Sequence, residues 1–370
     1  MRILRTGYIA VFPLLLICST ALAYDINDNL SISGIIAGGG QCQNVSDTGS
    51  DDDVCRGAVP VQAEVDFQPN AANEFFIKFG YASGNGLNTI TPFNVAPWAA
   101  DLEDDVQGIN GSNRDYLLTA WYKYTLSYNE DKSLGVTLGI IDSTDYIDGN
   151  EYANCEYTQF MNEVFVNSGS HGLPSYDTGA VVEWSSGKWS VTGLGMHVNE
   201  NDEGESFNFY AGQLGYHIET SMGDGNYRLV VARTTGSFLN AEGLEWESRS
   251  AYGFSIDQAL GNVFGVFARV GWQSDNAAVD YKAAYTGGLN IAGNGWGRDD
   301  DNIGVGYAYL QGGNTGIDKS DVGEAYYRCQ LNDAFAVTAD VQYISDKYEP
   351  TTQTLNPKGW IFGLRATAEF

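Results

Sequence analysis

Long stretches of this chain alternate apolar and polar residues one for one. In VPVQAEVDF, Val59, Val61, Ala63, Val65 and Phe67 fall on one side, with Gln62, Glu64 and Asp66 on the other. FFIKFGY sets Phe75, Ile77, Phe79 and Tyr81 against Phe76, Lys78 and Gly80. YLLTAWYKYTL sets Leu118, Ala120, Tyr122, Tyr124 and Leu126 against Thr119, Trp121, Lys123 and Thr125. AFAVTADVQY and the closing WIFGLRATAEF behave the same way. A period of two over such lengths predicts strands with one apolar and one polar face. Trp189–Val198 is strand-like, but its parity cannot be read.

The connections are lopsided. QPNAAN, NEDK, SSGK, MGDG, GN and LND are short turns, while Ser83–Arg114, Asp142–Tyr176 and Gly236–Glu247 are long and polar. Counting segments between turns gives about sixteen strands. Short turns on one side and long loops on the other predict an all-β fold, a transmembrane antiparallel barrel with short periplasmic turns and long external loops. A soluble sandwich would hide its apolar face and has no reason to keep one set of turns short.

One stretch breaks the alternation. In NEYANCEYTQFMNEVFVNSGS, Tyr157, Phe160, Met161, Val164 and Phe165 fall at helical spacing. Gln159, Asn162 and Glu163 lie opposite them, with Glu156 at the boundary. This predicts an amphipathic helix within Asn150–Ser170, in a loop folded into the lumen. Its apolar side would pack on the inner wall and its polar side would face a passing solute.

The ends and the charge narrow the picture. Arg2 and Arg5, an apolar Ile9–Ala21 run and Ala21-Leu22-Ala23 predict a signal peptide over residues 1–23, leaving 24–370 as one barrel domain. The full chain carries 19 Lys and Arg against 47 Asp and Glu, a net charge of −28. Such a charge repels nucleic acid and anionic lipid surfaces and argues against both as partners. Acidic clusters at Asp47–Asp53, Asp101–Asp105, Asn199–Glu205 and Arg298–Asp301 read as solvated loops and lack calcium-loop spacing, so no metal or cofactor is expected. His171, His197 and His217 are scattered and accompany no catalytic motif, so no catalytic residue is expected. Cys42 and Cys55 flank one acidic loop and are placed to close it as a disulfide. Cys155 and Cys329 read as two free or shielded thiols, the second on a lipid-facing strand.

Parity places Glu64, Asp66, Lys78, Trp121, Lys123 and Glu183 in the lumen, together with Arg249, Arg269, Tyr326 and Gln342. It also brings Glu324, Arg328, Asp340 and Arg365 onto one wall, either as rows that orient a dipolar solute or as ion pairs that stiffen the barrel.

Three segments, LGIIDSTDYIDGNEYANCEYTQFMNEVFVNS, RDDDNIGVGYAYL and EAYYRCQLNDAFAVTADVQYI, resemble the carbohydrate-selective porins, the OprB-like outer-membrane family. The terminal Phe370 resembles the signature that the barrel-assembly machinery recognises. The resemblance implies sixteen strands in the bacterial outer membrane and passage of monosaccharides such as glucose. The site residues expected from these readings are Glu156, Gln159, Asn162, Glu163, Glu324, Arg328, Asp340 and Arg365. Expected partners are small carbohydrates, outer-membrane lipid and lipopolysaccharide, with homo-oligomerisation left open. A general or weakly cation-selective porin is the second reading, and a non-transporting adhesin or receptor the third.

Overall fold

A computed structural model describes residues 23–49, 53–129 and 131–370. Apart from Ala23, the expected signal peptide lies outside them. The chain opens with β1 (Tyr24–Asn27), β2 (Leu30–Ser46), β3 (Val54–Asn70), β4 (Asn73–Ser83), β5 (Leu117–Asn129) and β6 (Lys132–Ile141). After a long loop come β7 (Asp177–Ser186), β8 (Trp189–Val198), β9 (Phe207–Thr220) and β10 (Gly223–Thr234). A small hairpin, β11 (Phe238–Leu239) with β12 (Trp246–Glu247), precedes β13 (Ser250–Leu260), β14 (Phe264–Gln273) and β15 (Tyr281–Ala292). The last four are β16 (Asn302–Gly312), β17 (Ile317–Asn332), β18 (Phe335–Tyr348) and β19 (Lys358–Glu369).

Apart from β1 and the hairpin, each strand pairs antiparallel with its neighbours, and β19 returns to β2, closing a barrel of 16 strands. The short β1 is an addition that pairs with the start of β2. Phe370 finishes the seam: its backbone exchanges hydrogen bonds of 2.8 and 3.0 Å with Gly34. Closure matters because a membrane offers no water to an unpaired strand edge.

The alternation is that of a barrel in lipid. Phe75, Ile77, Phe79 and Tyr81 are 38% to 53% exposed, whereas Phe76 and Lys78 between them are below 10%. The apolar face therefore points away from the protein and the polar face into it. Among the described residues no helix is long and apolar enough to cross a membrane.

Several expectations need correction. Leu118 does not face lipid: a register shift between Lys78 and Phe79 turns it inward, where it packs with Ala82, Val106 and Ile109. The parity of β8 was unreadable because apolar residues face both ways. Val191 points outward, while Leu194, Met196 and Val198 face inward under a covering loop. The periplasmic turns are not all short, since residues 293–301 join β15 to β16 through a 3₁₀ turn at Gly293–Trp296. There Asp301 is buried and pairs with Arg298 at 2.5 Å, so this acidic cluster is partly structural. As expected, Cys42 and Cys55 are disulfide-bonded, directly opposite each other on β2 and β3. Cys329 is a free thiol, only half-buried, and Arg298 donates to its sulfur at 3.2 Å. Cys155 is buried and its sulfur accepts from Thr158.

Candidate functional site: a lumen narrowed by two loops

Residues 142–176, between β6 and β7, turn back into the barrel. The turn is built locally: Asp142 accepts from the backbone N and hydroxyl of Thr144, and Ser143 donates to the Pro174 carbonyl. The expected helix within Asn150–Ser170 is mostly irregular chain. Only α1 (Glu163–Val166) is helical, capped by the Asn162 side chain, which accepts from Val164 N. The helical spacing overreached because the apolar residues are sorted by contact with the wall rather than by a regular backbone.

Those apolar residues are buried as their spacing implied. Tyr157, Phe160, Met161, Val164 and Phe165 are all at most 2% exposed. Phe160 stacks on Phe165 at 4.8 Å and meets Phe267 and Tyr326 edge-on at 5.5 and 5.0 Å. Phe165 rests on Gly306, where a Cβ would come within 2.5 Å of its ring. A side chain there would displace the loop.

A second loop, residues 84–116, also lies inside the barrel, which the sequence reading missed. Its Leu87, Val95, Trp98, Leu102 and Val106 are buried. Trp98 covers Gly39 of β2 and donates to the Glu156 carbonyl at 3.1 Å. The two loops bond to each other: Ala99 N to Met161 O at 2.8 Å, Glu163 N to Ala96 O at 3.2 Å, and Ala96 N to the Glu163 carboxylate at 2.9 Å. The signal available in the sequence was the apolar content of this segment, too high for a loop standing in water.

Strand side chains hold both loops by their backbones. Glu324 accepts from Met161 N and Asn162 N at 2.5 and 3.0 Å. Arg365 donates to the carbonyls of Glu156 and Gln159 at 2.7 and 2.9 Å. Arg269 donates to the carbonyls of Phe165 and Asp148, both at 2.9 Å, and lies 3.3 Å from the Asp148 carboxylate. Burial opposes the charge on Asp148, but Arg269 and His171 hold its carboxyl below the ordinary range. Gln41 and Gln342 both donate to the Pro97 carbonyl.

What remains open is a cavity of about 650 Å³. It is lined on one side by Lys78 of β4 and on the others by loop carboxylates: Asp101, Asp142, Asp145, Glu156 and Glu163. The Lys78 ammonium stands 3.6 Å from Glu64 and 4.0 Å from Asp145. Asp101 accepts from Gln62 at 2.6 Å and from the Tyr176 hydroxyl at 2.7 Å. Tyr176 holds a left-handed backbone, φ 64°, which is uncommon for a bulky residue and aims its ring at Asp101. Burial, with Asp101 nearby, pushes Glu156 up to about 8, and burial raises Asp145 to about 7 despite Lys78. These two carboxyls are therefore partly protonated at neutral pH.

Of the residues expected at the site, Glu156 and Glu163 line the cavity. Gln159 is half-buried and turns back on its own loop, accepting from Asn154 N and Cys155 N and donating to Glu151 O. Asn162 is buried, capping α1 and donating to Gln342 at 3.0 Å. Glu324 and Arg365 are the clamps described above, and both are buried. Asp340 is buried and accepts from Gln342 at 3.1 Å. Arg328 pairs with Glu369 at 2.7 Å. Asp101, Asp142, Asp145 and Tyr176 join the site without having been singled out from the sequence.

Residues 85–370 match the model of the carbohydrate-selective porins, OprB family. An uncharacterized protein of Aquifex aeolicus is 30% identical over 297 residues, 79% of this chain and 85% of that one. Among solved structures, Pseudomonas putida OprB at high pH superposes with a TM-score of 0.71 at 15% identity, covering 92% of this chain and 94% of that one. The Acinetobacter baumannii outer-membrane channel DcaP gives 0.53 at 8% identity, covering 94% and 99%. Both superpositions report a shared fold. With the closed barrel, the inward loops and a family match over most of its length, the chain belongs to the OprB family of carbohydrate-selective porins of the outer membrane.

Proposed function

We propose that this protein is a passive channel for monosaccharides such as glucose, with the two inward loops as its constriction. The observation that carries the reading is the cavity of about 650 Å³ between the loops and the barrel wall, lined by the Lys78 ammonium, the Arg249 guanidinium, the phenols of Tyr176 and Tyr281 and several carboxyls. A neutral sugar entering it exchanges water for these groups. Each exchange nets only about 0.5–1.5 kcal/mol, so the sugar can enter and also leave. Glu156, Glu163, Asp101, Lys78 and Tyr176 are the proposed solute contacts. Gln159, Asn162, Glu324, Asp340 and Arg365 are proposed to shape the constriction from behind, and Arg328 to brace the wall near its periplasmic end. The test is the purified protein in planar bilayers and liposomes. Glucose should reduce single-channel current and swell the liposomes, and failure of every sugar tried to do either would end this reading.

The acid excess at the constriction favours a second reading, a weakly cation-selective general porin. Reversal potentials in a salt gradient, compared with sugar block on the same channels, separate the two. Strong cation preference without sugar block supports the second. Phe370, paired to Gly34 at the seam, remains the proposed recognition end for barrel assembly.

A further inference from the structure

The constriction is not the sole cavity among the described residues. A second, of about 370 Å³, lies at the external end of the barrel, between the tops of β8–β10 and β13. Its apolar wall is aromatic: Phe207 and Phe238 meet edge to face at 4.9 Å, with Phe209 beside them. Asp202, Arg249 and Gln273 line both this cavity and the constriction cavity, so they stand where the two adjoin.

Arg249 is fixed there. Its backbone N donates to the Thr234 hydroxyl and its carbonyl accepts from Thr234 N, each at 2.9 Å. Its guanidinium lies 4.1 Å above the Phe238 ring, and one Nη donates to the Ala278 carbonyl at 2.8 Å. Its Nε is buried and has no hydrogen-bond partner. A planar guanidinium held on an aromatic face presents donors in a fixed direction. Asp202 and Gln273 beside it supply acceptors, and the phenylalanines pack behind the guanidinium. An anion would meet Arg249 but also the carboxylates of Asp202 and Glu203, and a cation the reverse. A neutral polyhydroxylated ring suits both halves of this lining.

We infer that this junction is an outer sugar-docking subsite, with Arg249 as its main donor, held in place on the Phe238 ring. It rests on the sugar-channel reading and adds a recognition step on the external side, before the constriction. The experiment is current-noise analysis of full-length channels of known orientation, with glucose added to one side at a time. Arg249→Ala should raise the half-saturating glucose concentration from the external side by about three- to tenfold, and less from the periplasmic side. Arg249→Lys should recover only part of this, because it keeps the charge and loses the fork. Phe238→Ala serves as a second variant should Arg249→Ala fail to give a heat-modifiable barrel. If glucose blocks the wild type yet both Arg249→Ala and Phe238→Ala leave external half-saturation unchanged, the subsite does not exist. Equal effects from both sides would also overturn it, by placing Arg249 in the constriction. If glucose has no effect on the wild type from either side, the sugar-channel reading itself fails, and the subsite with it.

Discussion

The two walls of the lumen use the same kinds of residue for different ends. On β14 and β17–β19, Arg269, Glu324, Gln342 and Arg365 are almost wholly buried and spend their hydrogen bonds on loop backbone. On β3–β5 and β7, Glu64 faces Lys78 at 3.6 Å and Lys123 pairs with Glu183 at 2.6 Å, so charges satisfy one another. Lys78 also remains available to the cavity. Strand parity assigns all of these to the lumen and is right to do so. It does not distinguish a side chain that meets solute from one that holds the constriction in place. On the proposed reading, the first wall would set the calibre and the second the charge seen by the solute.

The sharpest way to break that division is Arg269→Ala. It removes the guanidinium donors to two backbone carbonyls and leaves the Asp148 carboxylate buried without its guanidinium, a change that costs about 3–5 kcal/mol when buried pairs are broken. The loop carrying α1 should loosen. Liposome swelling with a trisaccharide should rise relative to glucose, and heat unfolding should shift downward. An unchanged trisaccharide-to-glucose ratio would show that the calibre does not depend on this wall.

Glu324→Gln is the milder version. The amide oxygen can still accept from one of the two backbone N–H groups at Met161 and Asn162, so the loss is one hydrogen bond, about 0.5–1.5 kcal/mol. The trisaccharide ratio should move the same way as for Arg269→Ala, but less. A shift in ion selectivity with no change in size limit would instead place Glu324 among the solute contacts.

The opposite side of the comparison is sharpened by pH. Glu156, pushed up to about 8 by burial and by Asp101, and Asp145, raised by burial to about 7, carry protons below those values. Raising the pH from 6 to 9 therefore adds negative charge to the constriction, and the cation-to-anion permeability ratio should climb over that range. Glu156→Gln should flatten the upper part of the climb and leave the trisaccharide ratio near that of the wild type. A ratio flat between pH 6 and 9 in the wild type would mean that these carboxyls are not part of the conducting path.

These contrasts also show how far the sequence could be read. The sixteen strands, their faces and the closing seam follow from lipid on one side and polar groups on the other, a constraint that acts on every second residue. Leu118 escaped because a single register shift reverses parity and leaves no mark in composition. The burial of Phe160 and Phe165 was legible, but α1 is one turn long because the loop fits a wall and no longer helix is needed there. The roles of Glu324 and Arg365 were not legible at all. Their partners are backbone groups more than 160 residues away, and backbone groups carry no sequence identity. Asp101 was hidden for a related reason: in DLEDD it looks like its solvated neighbours until Trp98 and Leu102 draw its loop inward.

The smallest effect is expected far from both walls. Cys42 and Cys55 sit opposite each other near the external end of β2 and β3, on the outward-facing side, with Cα atoms 4.0 Å apart. The strands on either side of them are already paired from Leu30 with Phe67 to Gln43 with Val54. In the chain-entropy account, closing a loop of about 15 residues constrains the unfolded chain by about 3 kcal/mol and leaves the native pore as it was. Among the described residues, the hydrogen bonds that hold the inward loops run through Glu324, Arg365, Arg269, Gln41 and Gln342 rather than through either cysteine. Reduction, or the pair Cys42→Ser with Cys55→Ser, should lower the heat-unfolding temperature while sugar block, size limit and ion selectivity stay unchanged. A change in sugar block on reduction would mean that the external end of this hairpin is coupled to the Trp98 loop resting on Gly39, so that the β2 wall too would help to set the calibre.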